Sequence, residues 1–199
     1  REALAETWQA LSNHWRSKQL QYTWLRAITG DHTDFWTVTQ DALDWAMAAV
    51  NLRGEDHRAR LLELYWQLGA YPEVPQMLRD VKAAGCRTAI LSNGSPDMLD
   101  GAVQSAGIGP LLDAILSVES VQVFKPNARV YDLVGGHFGT DRDDVLFVSS
   151  NGWDAASAAA YGFQTAWVNR AGEPRDRLPG APNWELSDLT GIPTLVETA

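Results

Sequence analysis

The stretch Asp144-Val-Leu-Phe-Val-Ser-Ser-Asn-Gly-Trp-Asp154 joins a short apolar run to a polar loop. Residues 145–148 are β-branched, apolar or aromatic, which is typical of a strand that is buried on both faces. The small polar residues that follow end the strand, and Asp154 is predicted to cap the helix expected over residues 155–161. A buried strand therefore delivers polar side chains to the sheet end where open α/β folds bind ligands.

A second stretch repeats this pattern. Residues 88–91 are predicted to form a strand, Ser92-Asn93-Gly94-Ser95 a polar loop, and Pro96 the first residue of a helix. Further strands are expected at residues 114–118 and 165–168, and further helices at residues 75–84, 96–106 and 127–138. This alternation predicts an α/β fold with a doubly wound parallel sheet. The ends of two strands should then bring hydroxyl and amide groups together at the same edge of the sheet.

The first 70 residues follow another pattern. Trp8, Leu11 and Trp15 have helical spacing that continues towards Trp24, and similar apolar stripes are predicted at Phe35, Val38, Ala42, Trp45 and Ala49 and at Leu61, Leu64, Tyr65 and Leu68. Two prolines within residues 71–75 then punctuate the chain. We expect a helical domain over residues 1–70 and a Rossmann-like core domain over residues 71–199.

Composition and charge exclude several classes of protein. The net charge of −9 over 199 residues argues against a nucleic-acid partner and against binding to an anionic membrane. The single cysteine, Cys86, excludes a disulfide framework and indicates a cytoplasmic protein. No apolar run reaches membrane-spanning length, and the sequence has no Gly-rich phosphate loop and no Cys/His cluster for zinc.

The polar residues at the predicted strand ends form one candidate site. They are Ser92, Asn93, Lys125, Ser149, Ser150, Asn151 and Asp154. One lysine and one carboxylate roughly neutralise each other, which suits a small, singly charged organic anion. A magnesium ion needs several carboxylate oxygens, so we expect no metal and no other cofactor.

Each candidate also has a plain structural interpretation. Ser and Asn are common turn residues, a Lys-Pro pair is usually solvated, and Asp154 can serve only as a helix cap. Arg16 can lie on the protein surface with its stem against the neighbouring apolar residues. The functional interpretation is favoured because the loop candidates all fall at the same end of the predicted sheet.

The order of three motifs resembles the haloacid dehalogenase superfamily. These motifs are Ser92-Asn93-Gly94, Phe124-Lys125-Pro126 with Tyr131, and Phe147-Val-Ser-Ser-Asn-Gly-Trp-Asp154. Trp15-Arg-Ser-Lys-Gln-Leu-Gln-Tyr-Thr-Trp24 and Asp34-Phe-Trp36 are similar to the cap-helix signature of the (S)-2-haloacid dehalogenases. Phosphatases of the superfamily have acidic residues where this chain has Ser and Asn in the last motif. The resemblance covers nearly the whole chain and implies that the helical domain is a cap.

The resemblance also implies roles for particular residues. The expected catalytic residues are Arg16, Lys125, Ser149, Asn151 and Asp154. The expected substrate-binding residues are Ser92, Asn93, Tyr131, Leu20, Phe35 and Trp153. Arg16 would accept the halide, Lys125 would steady the nucleophilic carboxylate, and Asp154 would help to hold the lysine and the hydrolytic water. Ser92 and Asn93 would bind the substrate carboxylate, and Tyr131 would orient this network.

The implied reaction is hydrolysis of a short (S)-2-haloalkanoic acid to the (R)-2-hydroxy acid through an aspartyl ester, with halide and water as the other partners. The family nucleophile is the Asp of an Asp-x-Tyr-Gly-Thr-Leu motif on a first strand, and this sequence lacks that motif. We expect a preceding segment of about 25–30 residues, and we expect the 199-residue chain alone to be inactive.

Two other interpretations stay open. The chain can be a non-catalytic binding or scaffold remnant of the same fold, or a phosphatase-like relative. The residues encoded upstream of Arg1 discriminate between the non-catalytic remnant and an enzyme. The sequence also predicts a homodimer, because its N-terminal aromatics exceed what a cap of about 70 residues needs for its core. They are Trp8, Trp15, Trp24, Trp36 and Trp45.

Overall fold

The structure is a computed structural model that describes residues 7–197. Residues 1–6 of the predicted helical domain lie outside this part. The chain forms two compact units. The helical unit comprises the chain up to Gly69 together with Ser92–Ala106 and Ser117–Lys125, and the sheet unit comprises Ala70–Leu91, Gly107–Leu116 and the chain from Pro126 onward. The domain boundary expected between residues 70 and 71 remains a prediction.

Helices and strands alternate from Val74 to Val168. The helices are α1 Trp8–Thr29, α2 Phe35–Ala49, α3 Glu55–Glu63, α4 Val74–Ala83, α5 Pro96–Ala106, α6 Ala128–Phe138, α7 Gly152–Tyr161 and α8 Ile192–Glu197. The strands are β1 Ala89–Ser92, β2 Ala114–Ser117, β3 Leu146–Ser149, β4 Gln164–Val168 and β5 Trp184–Leu186. Short 3-10 turns are formed by Leu64–Trp66, Gly109–Leu111, Val118–Ser120 and Arg142–Asp144.

The core of the helical unit lies between its first three helices. Its buried apolar residues are Leu11, Trp15, Ala42, Leu43, Ala46, Met47, Leu61 and Leu62. Trp15 also donates a buried hydrogen bond from Nε1 to the carbonyl oxygen of Thr39 at 2.9 Å, which ties α1 to α2. Helix α2 begins where the Asp34 side chain accepts a hydrogen bond from the Thr37 amide at 2.9 Å, as an N-cap does.

The predicted apolar stripe of α1 was partly wrong. The helix buries every fourth residue from Leu11, so Gln19 and Thr23 take inner positions, while Trp8 and Trp24 are 49% and 36% exposed. Gln19 is accommodated inside because its Nε2 donates to Thr39 Oγ1 at 2.7 Å. Gln19 therefore occupies an inner position of α1 because it has a buried hydrogen-bond partner, whereas Trp8 and Trp24, which were expected there, are exposed.

The two later stripes were also partly wrong. Trp45 is 41% exposed, because the buried face of α2 is shifted onto Leu43, Ala46 and Met47. In the third stripe, α3 ends at Glu63 and gives way to a 3-10 turn, so Leu64 and Leu68 lie at the surface. The change of helix type breaks the 3.6-residue period on which the prediction was based.

The strands of the sheet unit are covered by helices on both faces. Strand β3 pairs in parallel with β4, with Phe147 opposite Thr165, and β4 pairs in parallel with β5, with Trp167 opposite Glu185. On one face, Ala166 packs with Val81 of α4 and Ile192 of α8. On the other face, Tyr131 of α6 and Ala158 of α7 pack with Phe147 and Phe163. The predicted doubly wound α/β class is confirmed.

Some elements differ from the prediction. The described strands form two sheets, β1-β2 and β3-β4-β5, and within residues 7–197 no strand joins them. Strand β5 and helix α8 were not predicted, because a three-residue strand carries no recognisable alternation and α8 has only six residues. The predicted helices over residues 96–106 and 127–138 are confirmed within one residue. No helix in the described residues is long and apolar enough to cross a membrane.

Candidate active site

The carboxyl end of β3 places Ser149 and Asp154 in the interior. Ser149 is 9% exposed and Asp154 is 4% exposed. The Ser149 hydroxyl donates to Asp154 Oδ2 at 3.1 Å and accepts a hydrogen bond from the amide of Asn151 at 3.2 Å. Asp154 is therefore not the N-cap that the sequence predicted. Helix α7 begins at Gly152 after Asn151, and the Asp154 side chain lies in the first turn and points inward.

Tyr131 holds the second oxygen of this carboxylate. Its hydroxyl donates to Asp154 Oδ1 at 2.9 Å, and its ring packs edge-on against Phe147 and Phe163. Burial raises the pKa of Tyr131 well above its usual range, and the negative charge of Asp154 raises it further. The phenol therefore keeps its proton and remains a donor. Tyr131 and Ser149 each hold one oxygen of Asp154, which fixes the orientation of the carboxylate.

Asn151 and Trp153 flank the start of α7, and both are half-buried. The side chain of Asn151 makes no capping hydrogen bond to its own helix, although Asn is a favoured N-cap residue.

In the helical unit, the structure brings Asn93 and Lys125 together. Asn93 Oδ1 accepts a hydrogen bond from the backbone amide of Lys125 at 3.0 Å, although the two residues are 32 positions apart. The Gly94 amide donates to Ser92 Oγ at 3.0 Å, which closes the turn after β1. Lys125 is 6% exposed, so the expectation that a Lys-Pro loop is solvated does not apply.

Ser117 is a residue of this arrangement that the sequence analysis missed. Its hydroxyl donates to the carbonyl oxygen of Gly94 at 2.7 Å and accepts from the amide of Glu119 at 3.2 Å. The signal was available in the sequence, because β1 and β2 have the same four residues, Ala-Ile-Leu-Ser. A serine at the end of β2 therefore corresponds in position to Ser92 at the end of β1.

The three candidates from the predicted cap helices also lie in the helical unit. Arg16 is exposed on α1, and Leu20 and Phe35 are half-buried. The Phe35 ring lies 6.2 Å from the ring of Phe124, measured between centroids. Burial raises the pKa of Tyr65, and the hydrogen bond with Gln19 and the positive charge of Arg16 oppose that shift.

The structure thus describes the candidates as two sets, one in each unit. The helical unit contains Arg16, Leu20, Phe35, Ser92, Asn93 and Lys125, and the sheet unit contains Tyr131, Ser149, Asn151, Trp153 and Asp154. Asn93 contacts Lys125 in the first set, and Asp154 contacts Tyr131 and Ser149 in the second. Over residues 7–197, no group of three or more His, Cys, Asp or Glu side chains could hold a metal ion.

Comparisons with known proteins agree with this arrangement of motifs. A sequence model of the haloacid dehalogenase-like hydrolases matches residues 1–162. An (S)-2-haloacid dehalogenase of Pseudomonas sp. (strain YL) is 42% identical over 199 residues, which are 100% of this chain and 86% of that relative. The (S)-2-haloacid dehalogenase 4A of Burkholderia cepacia is 38% identical over 184 residues, covering 91% of this chain and 76% of that protein.

Solved structures are similar over the same range. An L-2-haloacid dehalogenase superposes with a TM-score of 0.95 at 40% identity, covering 98% of this chain and 88% of the other. The L-2-haloacid dehalogenase of Xanthobacter autotrophicus with chloropropionic acid covalently bound superposes with a TM-score of 0.89 at 34% identity, covering 98% of this chain and 89% of the other. The two relatives from Pseudomonas and Burkholderia are (S)-2-haloacid dehalogenases, and the chain belongs to the haloacid dehalogenase-like hydrolases.

Proposed function

We propose that this protein hydrolyses the carbon–halogen bond of short (S)-2-haloalkanoic acids and releases (R)-2-hydroxy acids. The observation that carries the proposal is the end of β3. A buried carboxylate, Asp154, is held there by Tyr131 and Ser149 in a motif that has Ser and Asn where phosphatases of the superfamily have acids. The activities named for the relatives described above support the same substrate class.

The proposed reaction has two steps. A carboxylate oxygen of the nucleophilic Asp attacks C2, the carbon–halogen bond breaks, and the halide leaves with the electron pair of that bond. The attack inverts the configuration at C2. Water then attacks the resulting ester, which frees the hydroxy acid, restores the carboxylate and releases one proton. The nucleophile belongs to the Asp-x-Tyr-Gly-Thr-Leu motif of the family, which residues 1–199 do not contain.

Residues of the helical unit are proposed to bind substrate and prepare the attack. Arg16 accepts the leaving halide, and Ser92 and Asn93 bind the substrate carboxylate. Lys125 is buried, so its positive charge can keep a nearby carboxylate ionised in an apolar setting more effectively than a solvated lysine can. Apolar walls suit this chemistry, because a carboxylate that is shielded from water attacks an alkyl halide faster.

Those walls are proposed to be Leu20, Phe35 and Trp153, all of which are half-buried. Residues of the sheet unit are proposed to act mainly in the second step. Asp154, which is oriented by Tyr131 and Ser149, and the neighbouring Asn151 are the proposed partners of the hydrolytic water.

The test compares two variants of the full-length protein, with whatever residues its gene encodes upstream of Arg1. Halide release from (S)-2-chloropropionate should be readily measured for the wild type. Asp154→Asn should accumulate a covalent adduct visible by intact-protein mass spectrometry, because the ester still forms while its hydrolysis is slowed. Lys125→Ala should accumulate none, because attack itself fails. An adduct in Lys125→Ala, or normal turnover in both variants, would contradict these roles, and a wild type without halide release would contradict the function.

A homodimer is also proposed. Large apolar side chains of α1 and α2 are exposed, and they include Trp8, Trp24, Leu25, Ile28 and Trp45. Exposed aromatic residues of this kind are enriched at subunit interfaces. A monomer mass in light scattering at micromolar concentration would exclude the dimer.

We propose a cytoplasmic location, because the only cysteine of the sequence is a free thiol at Cys86. Cell fractionation with a periplasmic marker tests this, and recovery of the protein with that marker would contradict it.

A further inference from the structure

A His–Glu pair lies in the helical unit and has no role in the proposed reaction. His32 Nε2 is 3.0 Å from Glu119 Oε2, and the two side chains are only 14% and 22% exposed. The imidazole also packs on Phe124, with 4.9 Å between the ring centroids. The pair joins the segment between α1 and α2 to the turn that follows β2.

Stability alone does not explain this pair. His32 Nδ1 and Glu119 Oε1 are both buried, and neither has a hydrogen-bond partner within the described part of the chain. Burying polar atoms without partners costs free energy, so this pair contributes less to stability than a fully hydrogen-bonded pair would. The pair therefore needs a second reason for its presence.

Two routes lead from this pair to the candidate substrate-binding loops. Along one route, the Glu119 amide donates to Ser117 Oγ, and the Ser117 hydroxyl donates to the carbonyl oxygen of Gly94 in the turn after Ser92. Each bond of this route is 3.2 Å or shorter.

Along the other route, the His32 ring packs on Phe124, which directly precedes Lys125. The Lys125 amide then donates to Asn93 Oδ1 at 3.0 Å. Both routes end on the Ser92-Asn93-Gly94 turn, so the pair and the loops form a closed ring of contacts. The pair also lies beside a pocket-wall candidate, because His32 precedes Asp34, the N-cap of the helix that begins at Phe35.

We propose that His32 and Glu119 are positioning residues that hold the Asn93 and Lys125 loops in register with the start of α2. The role of the pair in turnover rests on the proposed function. Its role in ordering the loops does not, because that role concerns hydrogen bonds within this unit. Small displacements of groups that bind or activate a substrate reduce rates strongly, so a loose loop should lower kcat.

The decisive variant is His32→Phe/Glu119→Leu. Phenylalanine keeps the ring packing on Phe124, and the leucine removes the carboxylate that would otherwise stay buried without a partner. We expect a thermal midpoint at or above that of the wild type, together with a kcat about ten- to a hundredfold lower. The single variant His32→Gln, whose amide can donate to Glu119, should keep most of the wild-type activity. The matched control is His14→Phe, an exposed histidine that packs on Trp45 and should behave as wild type.

Amide hydrogen exchange gives a readout that does not depend on catalysis. In the double variant, the Lys125 amide should exchange faster than in the wild type, while amides of the α1–α2 core keep their protection. Unchanged exchange at Lys125 would overturn the inference, and so would a wild-type kcat in the double variant or a loss that follows a lowered thermal midpoint. A wild type that releases no halide refutes the proposed function, and the exchange measurement then still decides the positioning role.

Discussion

Replacing Tyr131 by phenylalanine removes one oxygen atom from the middle of the sheet unit. Tyr131 is 1% exposed, and its hydroxyl donates to Asp154 Oδ1 at 2.9 Å. The phenylalanine ring can keep the edge-on contacts with Phe147 and Phe163. The variant therefore tests the hydrogen bond to the carboxylate with little change in packing.

The expected loss follows from the kind of bond that is removed. A hydrogen bond to a charged group contributes about 1.5–3 kcal/mol, and its loss leaves a buried carboxylate less well satisfied. For a chain of about 200 residues, each kcal/mol lowers the melting temperature by about 2–4 °C, so we expect a decrease of about 3–12 °C. Activity should also fall, because Asp154 loses one of the two bonds that orient it.

The pH dependence of stability should change as well. Burial raises the pKa of Tyr131 above its ordinary value of 10.0, so above about pH 10 the unfolded phenol loses its proton while the folded one keeps it. The folded state then binds more protons, and the free energy of unfolding falls as pH rises. Tyr131→Phe lacks this contribution, so its stability should decline less steeply above pH 10.

The assay is chemical denaturation of both proteins at pH 8 and above pH 10. The control is Tyr161→Phe, which removes the same oxygen from a half-buried tyrosine whose hydroxyl donates to Asp132. The control should lose about 1 kcal/mol or less, because its acceptor is an exposed carboxylate that water can solvate when the hydroxyl is removed. If Tyr131→Phe loses no more than the control at pH 8, the hydrogen bond to Asp154 does not hold that carboxylate as described.

Three further predictions concern other parts of the chain. Arg16→Lys should lose most halide release with an unchanged melting temperature, because a point charge replaces a planar fork of donors, and a near-normal rate would make Arg16 an ordinary surface residue. Chelation with EDTA should leave halide release unchanged, and a loss that magnesium restores would contradict this. Gly180→Ala should cost about 3 kcal/mol in a denaturation experiment, because the added Cβ would lie 2.1 Å from the carbonyl oxygen of Ala156. Gly136→Ala, in a helix with nothing within 4 Å, should be neutral or stabilising by about 0.5–1 kcal/mol, and equal effects of the two would refute the packing argument.

The sequence predicted which segments are helices better than which faces of those helices are buried. In α1, the buried positions run in steps of four from Leu11, and two of them are Gln19 and Thr23. The pattern of apolar residues cannot reveal this, because Gln19 depends on Thr39, a partner 20 residues away. Trp8 was assigned to the interior for the same reason, since an aromatic residue at helical spacing looks like a core residue whether or not a partner covers it.

The candidate site shows a similar limit. Strand-end composition and motif order placed Asn93, Lys125 and Asp154 among the candidates, but their contacts depend on residues far away in sequence. Asp154 suits both a helix cap and an inward position in the first turn, and the inward position depends on Tyr131, 23 residues earlier, as well as on Ser149. The His32–Glu119 pair spans 87 residues and belongs to no local motif, so it could not be predicted.

Strand β5 has a consequence for the protection of the edge of the sheet unit. Four of the five residues of β4 are buried, and its outer edge is covered only by the three residues Trp184–Leu186. A connection of irregular backbone separates these three residues from β4, so β4 has an open edge in any state in which β5 is not docked. An apolar strand with an open edge is a template for another chain, so undocking of β5 would expose a site at which aggregation can begin.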